Sequence, residues 1–199
     1  MKRQNLWFKT TVDYVISLFI MLILLVPFLI LSVFLACYYR GNPFYVAERA
    51  GLKGKKFYQI KFKSMYDTDD NTEMGEQKRV SPVGKVLREW SIDEIPQLLN
   101  VLRGDISLVG PRPLTTEYIP LYSDFEKRRL EVKPGITGLA QVNGRNSIDW
   151  KEKFSLDVQY VDHYSIALDI KIIIQTISVV LMRKGVNQDE VFTARRYKG

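Results

Sequence analysis

The sequence predicts a mainly helical α/β fold with a small sheet, attached to a membrane through its N-terminal segment. Three observations carry this. Residues Val12 to Tyr39 are almost uninterruptedly apolar. Apolar positions recur at helical spacing in 82–102 and again in 150–164, and aromatic and lysine residues alternate on both sides of a glycine turn near 51–54. At 199 residues the chain is expected to form one domain plus an appendage. The expected division is an anchor over 1–40, a globular domain over 41–185 and a basic tail over 186–199.

Composition narrows the chemistry. The net charge of +7 suits nucleic acid, an anionic membrane surface or a phosphorylated substrate. The single Cys37 lies inside the apolar run, so there is no disulfide framework and a reducing compartment is expected. One histidine, His163, leaves no zinc constellation and no convincing serine or cysteine hydrolase.

The apolar run carries one charge, Asp13, and is long enough to cross a hydrocarbon core, which takes about 20 residues. It is too long for a signal-peptide core and reads as a retained anchor. Pro27 sits in its middle, where a helix loses a bond and kinks. Lys2, Arg3 and Lys9 precede it, while Arg40, Arg49, Lys53, Lys55 and Lys56 follow, so the positive-inside rule has no preferred side. A straight span and a helix–break–helix that returns to its own side both remain open.

Gly41-Asn-Pro43 is a turn. The stretch that follows, FYVAERAGLKGKKFYQIKFKSM, predicts two strands about Gly51–Gly54, with lysines on a solvated face or at a phosphate or headgroup. Residues 67–80 have no periodicity and read as a loop. Asp67-x-Asp69 resembles the metal-binding aspartates of many glycosyltransferases, and the same residues mimic half an EF-hand without its glycine and final glutamate. Ser81-Pro82 starts a helix, with the N-cap and first-position proline in place, and Arg88 points off its apolar stripe of Val83, Val86, Leu87 and Trp90.

The stretch from Arg88 to Pro113 is the centre of the chain. Asp93 and Glu94 open an amphipathic segment whose Ile92, Ile95, Leu99 and Leu102 form one apolar face. Ser91-Ile-Asp-Glu94 has the pattern of a capping box, as does Ser123-Asp-Phe-Glu126. Pro96 conflicts with a helix capped at Ser91, so the regular helix is expected to begin nearer Asp93. Arg88 upstream and Gly104-Asp, ISLVG and Pro-Arg-Pro downstream place guanidinium groups around the carboxylates, as a site for an anionic substrate would.

Residues 114–134 predict a helical pair ending at Pro134-Gly135. The glycine-rich 135–145 is neither GxGxxG nor a Walker loop; it brings backbone close to a ligand or forms a hairpin. Trp150 to Tyr164 reads as a helix with Phe154, Val158 and Val161 inward and Asp157 off that line. The apolar but interrupted 169–184 is expected to lie in the membrane interface or against the domain.

Four ordered blocks, KFKSM, the Asp93–Glu94 pair, GDISLVGPRP and KPGITGLAQVNGR, together resemble the bacterial sugar transferases, the monotopic phosphoglycosyl transferases. The resemblance runs from the apolar segment to about Gly185. It implies transfer of a sugar-1-phosphate from a UDP-sugar to a polyprenyl phosphate such as undecaprenyl phosphate, with UMP released. It implies Asp93 as nucleophile, Glu94 as its partner and Mg²⁺ bound by both; on physical grounds the helix end is expected to lower the Asp93 pKa. Arg88, Arg112 and Arg145 match family positions for phosphate or carboxylate partners, with Gln141, Asp157 and Lys61 as further substrate-binding candidates. The family anchor is a re-entrant helix broken at a Ser-Pro or similar pair. Val26-Pro27 stands there, so the resemblance implies a monotopic protein on the cytoplasmic face of the bacterial inner membrane.

The partners expected are therefore a UDP-sugar, a polyprenyl phosphate and the bilayer, with no nucleic acid, and a homodimer through 169–184 as a further expectation. A membrane-tethered basic adaptor for anionic lipid or nucleic acid is the rival from another class. It leaves Asp93, Glu94 and Pro-Arg-Pro without a purpose. A glycosyltransferase working through Asp67-x-Asp69 is a second rival and would release UDP.

Overall fold

The computed structural model describes residues 6–67, 79–144, 148–182 and Tyr197. It begins with α1 (Leu6–Tyr38), a helix of 33 residues, about 50 Å long at 1.5 Å per residue. The backbone stays helical through Pro27, so the expected break does not split the segment into two helices. Pro27 still removes the bond to the Ile23 carbonyl, and just beyond it Ser32 Oγ donates to the Phe28 carbonyl at 2.7 Å, a contact that also bends helices. Phe19, Leu22, Ile23, Val26, Ile30 and Val33 are exposed along its middle. That much apolar surface on a helix of this length marks a membrane-associated segment.

Both ends of α1 are built into the globular part. Near its start Lys9 pairs with Asp169 at 2.5 Å, and the Ser107 hydroxyl donates to Asp13. Near its end Phe28, Leu31 and Leu35 pack on Phe62 and Leu87, and the Tyr39 and Ser81 hydroxyls share a bond of 2.5 Å.

β1 (Phe44–Ala50) and β2 (Lys56–Phe62) form the expected antiparallel hairpin, Phe44 opposite Phe62 and Ala50 opposite Lys56. Its turn needs the left-handed backbone found at Lys53 and Gly54. Along β2, Phe57 and Gln59 point inward and Tyr58 outward; the pleat puts Lys61 on the side of Phe57 and Gln59.

α2 (Pro82–Glu89) starts as the sequence predicts, with Ser81 Oγ accepting from the Gly84 amide at 2.8 Å and Pro82 in the first turn. Gly84 is required by approach: a Cβ there would sit 1.8 Å from the Ser64 carbonyl oxygen. A single 3-10 turn, Ile92–Glu94, then leads to α3 (Gln97–Arg103), closed by left-handed Gly104.

β3 (Ser107–Val109) follows. The predicted helical pair after Pro113 resolves into short pieces: 3-10 turns at Thr116–Leu121 and Arg128–Glu131 flank α4 (Asp124–Lys127). β4 (Gly135–Thr137) pairs parallel with β3, so the glycine-rich stretch is not a hairpin. Gly110 and Gly135 let these strands touch, since a Cβ on either would lie within 2.4 Å of the other segment.

α5 (Leu139–Val142), α6 (Trp150–His163) and α7 (Ile166–Leu181) complete the chain. α7 turns Ile172 and Asp169 inward, and leaves Ile170, Ile174, Ile177 and Leu181 as an exposed stripe. That is the surface expected of a helix lying on a bilayer. The described residues thus form a mainly helical fold with two two-stranded sheets.

Candidate active site

The two look-alike capping boxes behave differently. Ser123 and Glu126 form a true reciprocal box at the start of α4. Ser91 does not cap: its φ of 55° is left-handed and its side chain makes no cap bond. The Glu94 amide bonds the Ser91 carbonyl at 3.2 Å in a 3-10 turn, and α3 begins only after Pro96. The regular helix therefore starts later than the sequence suggested, and Asp93 precedes it. A serine held in a sparsely populated backbone region marks a place where the fold imposes a geometry. Here that geometry frees Glu94 from capping and presents Asp93 and Glu94 together.

Glu94 is taken by two cations. Lys61 of β2 donates to Oε1 at 2.6 Å, and Nη2 of Arg112 donates to the same oxygen at 3.0 Å. Among the described residues Oε2 accepts no hydrogen bond. Burial raises the Glu94 pKa, but Arg112 and Lys61 outweigh it and hold the group down at about 2. Asp93, 8% exposed, has no hydrogen-bond partner among the described residues. Burial pushes it up to about 6, and neighbouring Glu94 adds to this, against Lys61, Arg88 and Arg112. The expectation that a helix end lowers this pKa is overturned, because desolvation dominates and the α3 helix begins further on.

Arg88 leaves the stripe of α2 as expected and donates through Nε to Ser64 Oγ at 2.9 Å, facing Asp93 electrostatically. Lys61, Arg88, Asp93, Glu94 and Arg112 are thus one cluster. Gln141 is not in it: its amide donates to the Ile136 carbonyl at 2.8 Å and steadies the turn after β4. Arg145 lies outside the described residues. Asp67 pairs with Lys63 at 2.5 Å on the surface.

Asp157 reaches the cluster only through another residue. Its Oδ2 accepts from Arg129 Nε and Nη2 at 3.0 and 2.8 Å, both residues buried. Arg129 Nη2 also donates to the Arg112 carbonyl at 2.6 Å, and Nη1 to the Tyr122 hydroxyl at 3.2 Å. This guanidinium fixes the backbone of Pro-Arg-Pro. In sequence Arg129 is one of a Lys-Arg-Arg run that reads as solvated charge, so nothing local signals its role. Arg129→Met is expected to leave Asp157 buried without a partner and to lower stability by about 3–5 kcal/mol. Chemical denaturation checks this; a loss under about 1 kcal/mol would mean that Asp157 is neutral or hydrated.

The donors suit a divalent cation that arrives with its substrate. Among the described residues Asp93 and the Oε2 of Glu94 are two carboxylate positions without a hydrogen-bond partner, and Mg²⁺ is commonly held by one or two carboxylates plus phosphate oxygens and waters. Among the described residues no group of three or more acidic, histidine or cysteine ligands exists, as a self-sufficient metal cage would require.

Comparison with known proteins gives the chain's family. The bacterial sugar transferase family matches residues 4–183, and the chain belongs to it. EpsL, an uncharacterized sugar transferase of Bacillus subtilis, is 51% identical over 162 residues, 80% of each chain. An undecaprenyl-phosphate galactose phosphotransferase of Salmonella typhimurium is 36% identical over 203 residues, covering 92% of this chain and 42% of that one. A UDP-glucose:undecaprenyl-phosphate glucose-1-phosphate transferase of Caulobacter vibrioides is 38% identical over 153 residues, covering 71% and 57%. This chain therefore spans only about half the length of those two.

Proposed function

We propose that this transferase moves a sugar-1-phosphate from a UDP-sugar to undecaprenyl phosphate and releases UMP, the first committed step of a lipid-linked glycan. The observation that carries the reading is a buried Asp93, without a hydrogen-bond partner among the described residues, beside a glutamate whose charge two cations already balance. The names of the Salmonella and Caulobacter relatives support the same reaction. An adaptor that only needs charge and an anchor gives no reason to bury one carboxylate unpaired.

In the proposed course an Asp93 oxygen attacks the phosphorus bearing the sugar. The bond from that phosphorus to the UMP oxygen breaks, UMP leaves, and an acyl phosphate joins the sugar to Asp93. A phosphate oxygen of the polyprenyl acceptor then attacks the same phosphorus, the acyl bond breaks, and the Asp93 carboxylate returns. Arg112 and Arg88 face the diphosphate and stabilise charge that builds on its oxygens. Lys61 holds Glu94, so Glu94 keeps its charge and its Oε2 stays directed toward the site. Mg²⁺, held by Asp93 and Glu94, would neutralise the diphosphate. A desolvated nucleophile gains reactivity because little water must be removed before attack.

We further infer that the protein is monotopic and faces the cytoplasm. Lys9 and Tyr39 both contact the same globular part. A straight helix would separate them by about 45 Å, more than a hydrocarbon core of roughly 30 Å. The apolar middle of α1 thus enters the bilayer and returns, bending at Pro27. A thiol label at an engineered N-terminal cysteine is expected to react only from the cytoplasmic side; reaction from outside refutes the topology.

Incubation with Mg²⁺, undecaprenyl phosphate and a panel of UDP-sugars tests the reaction. UMP from one donor is expected. UDP would favour ordinary glycosyl transfer, and no nucleotide from any donor would leave the adaptor.

A further inference from the structure

The cations around Glu94 do not exhaust the positive charge at this site. Arg112 bonds Glu94 through Nη2 alone, and its side chain is 47% exposed. Two further cations feel its charge, one from β1 and one from α6. Arg49, on β1, makes only long bonds, Nε to Gln59 Oε1 at 3.3 Å and Nη1 to the Glu48 carbonyl at 3.4 Å. Lys153, on α6, places Nζ 4.9 Å from the centre of the Trp150 ring. Among the described residues neither forms a salt bridge.

The backbone holds these three together. The Ala50 amide, next to Arg49, donates to the Leu114 carbonyl at 2.9 Å, and Thr116 bonds Glu48 at 2.7 Å, so β1 is stitched to the exit of Pro-Arg-Pro. Lys153 lies one helical turn before Asp157, which holds Arg129, which holds the Arg112 carbonyl. The rings of Tyr118 and Trp150 meet edge to face at 5.8 Å, and Trp150 carries the Lys153 contact. Burial lowers the pKa of Arg49 and of Lys153 and the like charge of Arg112 lowers both further, against Tyr45 and Tyr118 at Arg49 and against Asp149 and Asp157 at Lys153. Cations gathered against their own repulsion, without a carboxylate bridging the outer two, are arranged for an anion that arrives later.

Resting on the reading above, we propose that Arg49 and Lys153, together with Arg112 and beside the Tyr118–Trp150 pair, bind the nucleotide phosphate of the UDP-sugar and retain it as UMP forms. Phosphate is common to donor and lipid acceptor, but placement favours the nucleotide. Tyr118, Trp150 and Phe154 belong to a cluster with Tyr122, Leu130 and Tyr197 that includes no residue of α1. The membrane helix packs instead on Phe62 and Leu87 and on Ser107 and Asp169.

The test uses the full chain in detergent and UMP as the probe. Arg49→Gln and Lys153→Gln are each expected to weaken UMP binding about tenfold or more, the scale of a lost charge-assisted hydrogen bond. The KM for the UDP-sugar should rise with it, while the KM for undecaprenyl phosphate stays put. Lys153→Arg, which keeps the charge, should restore most of the UMP affinity, and an unchanged unfolding midpoint shows that the variants fold. Unchanged UMP affinity in both variants, or a raised KM for the lipid alone, overturns the subsite even where the wild type releases UMP. A wild type that neither binds nor releases UMP overturns the proposed reaction itself.

Discussion

Replacing Asp93 by asparagine is expected to abolish sugar-phosphate transfer and, at the same time, to stabilise the metal-free protein at pH 7. An amide cannot form the acyl phosphate, so kcat should fall by at least about 10⁴-fold, the scale seen when a nucleophile is removed. The stability gain follows from burial. Asp93 has a pKa of about 6 in the fold against an ordinary 3.8. At pH 7 it is charged in both folded and unfolded chains, and the fold bears the full cost of desolvating it. As pH falls through about 6 the folded protein takes up the proton first, so stability rises toward pH 4 and then levels. The two-unit difference caps this contribution at about 3 kcal/mol. An amide in place of the carboxylate removes that pH dependence. Thermal unfolding of both proteins in EDTA from pH 4 to 8 reads it directly, and equal curves would mean that Asp93 is solvated.

Glu94→Gln is the second large effect, with a different signature. The substitution removes the charge that Lys61 and Arg112 neutralise, and both cations turn to Asp93. A like charge is lost and two opposite charges are freed, so the Asp93 pKa drops. The acid limb of the kcat/KM profile should move to lower pH while the maximum falls by about 10²–10³-fold, because the nucleophile is now engaged and one metal-holding carboxylate is gone. Loss of activity with an unmoved limb would show that Glu94 does not set the charge at Asp93. Glu94 also contributes stability above its ordinary pKa of 4.5 that is lost as pH falls toward 2. The variant lacks this, so its acid unfolding should begin from a lower plateau.

What could be read from residues was what short-range physics decides. Ser81-Pro82 starts a helix, Ser123 and Glu126 form a box, and the strands meet about Gly54, each settled within a few residues. Ser91 to Glu94 has the same letters as the second box and a different outcome. Its fate depends on Pro96 and on Lys61, which comes from a strand 33 residues earlier. The Asp93 pKa went the other way from the helix-end argument because burial is a property of the assembled fold. Arg129 with Asp157, Lys9 with Asp169 and Asp13 with Ser107 are bonds across 28, 160 and 94 positions. Lone charges in a basic run or at the edge of an apolar segment carry no local mark of such partners. Arg49 and Lys153, to which the nucleotide phosphate is proposed to bind, carry no such mark either, since each lies on the polar side of an ordinary strand or helix.

The most direct measurement is of Asp93 itself in the absence of the lipid acceptor. The protein is mixed with Mg²⁺ and the donor UDP-sugar, quenched, and its intact mass and peptides are compared with those of untreated protein. The account predicts up to one equivalent of UMP and a matching sugar-phosphate adduct on the peptide carrying Asp93, discharged when undecaprenyl phosphate is added. UMP that forms only once the acceptor is present, with no adduct at any time, would contradict it and point to direct transfer between the two substrates.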